Sequence, residues 1–140
     1  MNSAANQEVA VLERFASHSE ALRQELLAMR NEWEPKSPPP YTVMAAFAER
    51  LTHDGLEDVS VFAKLLHDTE QYIDGGGAAA DLVAVGFLEA LLGRSSRGCF
   101  EFRTIVHLLG ARSLEYCKAW DQHTGCTTTV DALLPPTPDS

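Results

Sequence analysis

The sequence predicts an all-α protein of about six helices, on three observations. Apolar residues recur every three to four positions through most of the chain, no segment alternates with period two for long enough to make a strand, and the interruptions are clusters of proline or glycine. The expected architecture is one domain over residues 1–140, an irregular stacked array of helical hairpins with a long N-terminal helix laid across it. It divides into that helix (7–33), a proline-rich linker (34–40), a helical core (41–123) and an irregular tail (124–140).

Each element has its own reason. Leu12, Phe15, Leu22, Leu26, Met29 and Trp33 follow spacings of three, seven, four, three and four, with Ser19 filling the skipped position. They predict one unbroken helix of about 40 Å at 1.5 Å per residue. The segment EPKSPPP removes amide donors and biases the residue before each proline away from helical angles. A second helix starts near Pro40 or Tyr41, carries Met44, Phe47, Ala48 and Leu51 inward and stops at Gly55. The third, from about Leu56 to Ile73, buries Val59, Phe62, Leu65, Leu66, Thr69 and Ile73 and turns Lys64, His67, Asp68 and Gln71 to solvent. Gly75 to Gly77 form an interhelical turn, since they lack both the preceding strand and the lysine of a phosphate-binding loop.

The fourth helix, about Ala78 to Leu92, is apolar nearly all round and is expected at the centre, with Leu82, Val85, Phe87, Leu88 and Leu91 buried. Residues 93–98 (GRSSRG) read as a basic loop, residues 100–109 as a fifth helical stretch, and 111–123 as a sixth helix with Leu114, Cys117 and Trp120 along its inner face. Gly125 to Ser140, rich in threonine and proline, has no helical period.

Twenty acidic residues against eleven basic ones give a net charge of -9, the opposite of a nucleic-acid-binding surface. No apolar run approaches the length of a membrane span. Three unframed cysteines and the lack of a leader pattern point to a reducing, cytoplasmic setting. Charge is also polarised. From Glu49 to Glu89 there are nine acids and two bases, whereas from Arg94 to Lys118 there are five bases and two acids. An acidic field of this kind speeds encounter with a basic protein. The expected partner-binding residues are Asp54, Glu57, Asp58, Lys64, His67, Asp68, Glu70, Gln71, Tyr72 and Asp74, with Tyr72 as an aromatic anchor at the edge of the helical wheel.

Two other readings compete with this one. The dipeptides His53-Asp54 and His67-Asp68 match adjacent ligands in helical metal-dependent hydrolases, but no further ligands share their spacing, so they read as surface histidines and no metal or other cofactor is expected. Cys117 lies on an apolar stripe, where a thiol is inert. Alternatively, the long first helix pairs with a second copy through Leu12, Phe15, Leu22, Leu26 and Met29, making a homodimeric scaffold.

Three stretches, PYTVMAAFAERL (40–51), DLVAVGFLEALL (81–92) and LLGARSLEYCKAWDQHTG (108–125), together resemble a small all-helical bacterial family whose members are found beside polymorphic toxins and are read as their immunity proteins. VGFLE, residues 85–89, is the most recognisable part. The resemblance covers residues 40–125 and implies a non-enzymatic cytoplasmic protein of bacterial competition. Its partner would be a cognate toxin C-terminal domain, bound and occluded, with no nucleic acid or membrane involved.

Overall fold

The structure, a computed structural model, describes residues 3–53 and 58–135. Among these residues it is all-helical, with eight α-helices, one π-helical segment, two 3-10 turns and no strand. The helices are α1 (Ala4–Ala16), α2 (Glu20–Trp33), α3 (Pro40–Thr52), α4 (Val59–Gly75), α5 (Gly77–Asp81), α6 (Glu89–Ser96), α7 (Ala111–Thr124) and α8 (Thr128–Leu133). The π segment, Leu82–Leu88, runs directly from α5 into α6, so residues 77–96 make one central rod. Around the rod pack α1, α3, α4, α7 and α8.

The expected N-terminal helix is two helices packed as a hairpin. Ser17 returns its hydroxyl to the Arg14 carbonyl at 2.6 Å, and Ser19, in extended backbone, accepts from the Leu22 amide and caps α2. Serine competes for backbone hydrogen bonds in this way, so the residue that looked like a heptad filler is a cap. Arg30 donates to Glu13 across the hairpin at 2.6 Å. Leu12, Phe15, Leu22, Leu26 and Met29 are consequently in the core, where they have no face to offer a second copy.

The proline reading holds for α3, which has Pro40 in its first turn, and α4 starts at Val59 behind the cap Asp58. Val59, expected inside, stands exposed as the first residue after that cap. Gly86 allows α3 and the rod to approach closely, because a Cβ there would lie 3.1 Å from the Cβ of Met44. Phe15 meets Phe87 edge-on at 5.0 Å between ring centroids.

The rod is the core as expected, with Leu82, Phe87, Leu88 and Leu91 fully buried. Val85 is the exception, at 47% exposed. The π segment spans five residues per hydrogen bond instead of four, and within it Val83 is buried while Val85 faces outward.

Three further expectations change. Residues 93–96 continue α6, and Arg94 uses its guanidinium to cap the end of α3, donating to the Thr52 hydroxyl at 2.5 Å and carbonyl at 3.3 Å. The fifth helical stretch is two 3-10 turns, Phe102–Thr104 and Val106–Leu108. The tail carries α8: Asp121, buried in α7, accepts from the Thr129 and Val130 amides at about 3.0 Å, and Arg103 donates to the Asp131 and Leu134 carbonyls at the other end. None of these partners is within one helical turn of the group it satisfies, so local periodicity carries no trace of them.

Candidate functional site

The structure divides the expected partner-binding residues into three groups. Asp54 and Glu57 lie outside the described residues. Asp58, Asp68, Glu70, Tyr72 and Asp74 have partners within the protein. Lys64, His67 and Gln71 remain as an exposed stripe along α4.

The second group corrects the idea of a uniformly solvated acidic face. Asp58 caps α4, accepting from the Ser60 amide at 3.0 Å and hydroxyl at 2.6 Å, and that hydroxyl holds its carboxyl below the ordinary range. Asp68, expected on the solvent side, is 7% exposed. Its Oδ2 accepts from Arg14 Nε at 3.0 Å and pairs with His18 Nε2 at 2.7 Å, pinning the α1–α2 turn to α4. Burial works to raise the Asp68 carboxyl, but the hydrogen bonds and charge of Arg14 and His18 outweigh it and the pKa is lowered.

Glu70 reaches to α7. It accepts from the Arg112 amide at 3.1 Å, the Ser113 amide at 2.9 Å and the Ser113 hydroxyl at 2.8 Å, so it caps that helix from a distance. Burial again opposes ionisation, and these donors reverse it. A Cβ on Gly110 would overlap the Glu70 side chain, so glycine makes room for the cap. Asp74 pairs with Arg112 Nε at 2.8 Å in solvent. Tyr72 packs half-buried against the core, and burial raises its hydroxyl pKa.

Asp54 of the first His-Asp dipeptide lies outside the described residues. His67 is exposed while Asp68 turns inward, as neighbours about 100° apart on a helix must. His53 borders a groove with Glu25, Ala46, Glu49 and Arg50. Among the described residues no three His, Cys, Asp or Glu side chains gather in a way that would hold a metal ion. Cys117 is buried and its thiol is pushed up to about 12, by burial first and then by Asp121.

A different face keeps its functional side chains outward. Asp81, Val85 and Glu89 follow one another at four-residue steps on the rod. Asp81 and Val85 are exposed and Glu89 is half-buried. On α3, Tyr41 is 41% exposed; burial raises its hydroxyl pKa, and the carboxylates of Asp81 and Glu8 push it further. On α7, Tyr116 donates its hydroxyl to Glu89 Oε2, and its pKa is raised by burial, by Glu89 and by Asp81. α3 and α7 both pack on the π segment, where Met44 of α3 lies against Gly86 and Tyr116 of α7 bonds Glu89 just beyond it. A groove of about 300 Å³ continues the face past Glu89 and Tyr116 to Trp120 and His123.

Sequence reasoning missed this face because Val85 was placed in the buried stripe. A signal was present nonetheless: two acids flank Val85 at equal distance in an otherwise apolar helix. Comparison with family models, curated proteins and solved structures finds no match for the chain. No helix among the described residues is long and apolar enough to cross a membrane.

Proposed function

We propose that the protein is a non-enzymatic immunity protein that binds a basic toxin domain and occludes its working surface in the cytoplasm of the producing cell. One observation carries the reading. Val85 stands 47% exposed on the rod with Asp81 and Glu89 about one helical turn to either side, an apolar centre between two acids. Apolar and aromatic centres supply most of the energy of protein recognition, while a charged rim sets encounter rate and partner choice. The net charge of -9 gives those acids a long-range field, and the segment 81–92, one of the three resembling immunity proteins, contains Asp81, Val85 and Glu89.

The test is co-expression with the toxin domain encoded beside this gene. Growth should be restored, and the two chains should purify together at 1:1 stoichiometry with a salt-dependent association rate. Failure of the wild-type protein to restore growth overturns the proposal.

A further inference from the structure

Between Glu89 of α6 and the outer side of α7 lies a groove lined by Glu89, Tyr116, Ala119, Trp120, His123 and Thr124. We propose that this groove seats one arginine side chain of the protein partner, with its guanidinium against the aromatic rings and its N–H groups donating to Glu89. The inference rests on reading the protein as a partner-binding one and adds the residue by which the partner is held.

Three observations support it. Glu89 is half-buried, and among the described residues the Tyr116 hydroxyl is the one donor that reaches it. Burial and the neighbouring Glu89 raise the pKa of that hydroxyl, so it donates as a neutral group. The carboxylate is therefore left in the groove wall with its charge uncompensated and with most of its roughly four acceptor sites open. The second observation is the lining. Tyr116 and Trp120 stand four residues apart on α7, one helical turn, so both half-buried rings border the same groove, and the exposed His123 follows about a turn further on. The third is size. A volume of about 300 Å³ is at the small end of ligand pockets and suits a single side chain. Arginine meets all three conditions, because its flat guanidinium stacks on aromatic rings while its fork of N–H groups fits a carboxylate. A lysine ammonium pairs with Glu89 but does not stack, and a quaternary ammonium has no N–H to give. A second copy of this chain would bring a further charge of -9 against this one, so charge complementarity selects a basic partner.

The probe is acetyl-arginine amide, titrated at low salt into labelled wild-type protein and followed by chemical shifts. Acetyl-citrulline amide, which keeps the shape without the charge, acetyl-lysine amide and tetramethylammonium serve as comparisons. Saturable shifts should appear at Glu89, Tyr116, Trp120 and His123, and each comparison compound should bind at least fivefold more weakly. Glu89→Gln, which still offers Tyr116 an acceptor, and Ala119→Phe, which fills the groove from an exposed position, should each weaken arginine binding at least fivefold with an unchanged melting temperature. Lys64→Ala, on α4, should bind as the wild type does. Citrulline, lysine or tetramethylammonium binding as tightly as arginine, shifts centred outside the groove, or no saturable binding would each overturn the proposal. The complex with the toxin domain should weaken at least fivefold in Glu89→Gln. The two readings separate cleanly: a wild-type protein that binds the arginine probe but fails to protect cells removes the immunity function alone, and a Glu89→Gln protein that protects with wild-type affinity for the toxin domain removes the arginine anchor alone.

Discussion

The α4 face and the rod face are both rich in acid, and they use it in opposite ways. On α4, Asp68 turns inward to Arg14 and His18, while Glu70 and Asp74 reach across to α7 and Asp58 closes its own helix. On the rod, Asp81 and Glu89 border an exposed valine, and Glu89 accepts from the Tyr116 hydroxyl. The difference lies in what each carboxylate meets. Those of α4 find orphan amides at a helix start or a guanidinium from a neighbouring helix, which draws them into the scaffold. On the rod, Glu89 meets the neutral hydroxyl of Tyr116, which leaves its charge unpaired, and Asp81 stands exposed. A count of acids along the sequence measures the field of the molecule but does not separate acids that join helices from those that face a partner.

The sharpest way to break this comparison is inside the rod itself. Phe87→Ala should cost about 3 to 5 kcal/mol, because it removes a fully buried ring and its edge contact with Phe15. Val85→Asp, two residues away, should change stability by no more than about 0.5 kcal/mol. Thermal melts of the two variants decide it; similar losses would mean that the winding of Leu82–Leu88 is wrong.

The next effect contrasts one acid from each face. Asp68→Ala leaves Arg14 and His18 without their acceptor and should cost about 1 to 3 kcal/mol in urea unfolding. Asp81→Ala should be neutral within about 0.5 kcal/mol.

Acid titration makes the same contrast by protonating the α4 carboxylates. Asp68 and Glu70 both have pKa values held below those of the unfolded chain. Their stabilisation is fully present above the unfolded carboxyl range, near pH 4, and is lost as pH falls through the lower folded values. Urea midpoints measured from pH 6 down to pH 2 should therefore drop, and Asp68→Ala should flatten that drop whereas Asp81→Ala should not.

The smallest effect concerns α7, which serves both faces. Cys117, buried there, should react with a thiol reagent far more slowly at pH 8 than half-buried Cys126 in the turn before α8. Asp121→Ala should speed the Cys126 reaction by loosening α8. Equal rates for the two thiols in the wild-type protein would place α7 wrongly.

Much of this fold is legible from local patterns. Pro40 announces α3, the glycines at 75–77 separate α4 from the rod, and the interval from Ala111 to the turn at Gly125 marks α7. What escapes is everything whose cause is distant or winding-dependent. The break at Ser17 to Ser19 looks like a polar position within a continuing stripe, because a capping serine and a surface serine have the same periodicity. Val85 stands outward in a segment whose other residues are buried, and its apolar side chain does not announce the difference. The existence of α8 depends on Asp121 and Arg103, and the inward turn of Asp68 depends on Arg14, 54 positions earlier. Of the expected site, the α4 stripe of Lys64, His67 and Gln71 keeps its exposure, as do Asp58 and Asp74, while Asp68 turns inward and Glu70 is half-buried.

The cap that Glu70 places on α7 has a consequence for how this sequence can change over evolutionary time. Positions 70 and 110 occupy the same small volume, so neither is free to drift alone: any side chain at 110 demands a different residue at 70, and losing the carboxylate strands the amides of Arg112 and Ser113. In a set of diverging sequences with this fold, a glycine at the second position should accompany glutamate at the first, and substitutions at the two should appear together. Such paired change would be a record of the α4–α7 contact written in descent, readable without any structure.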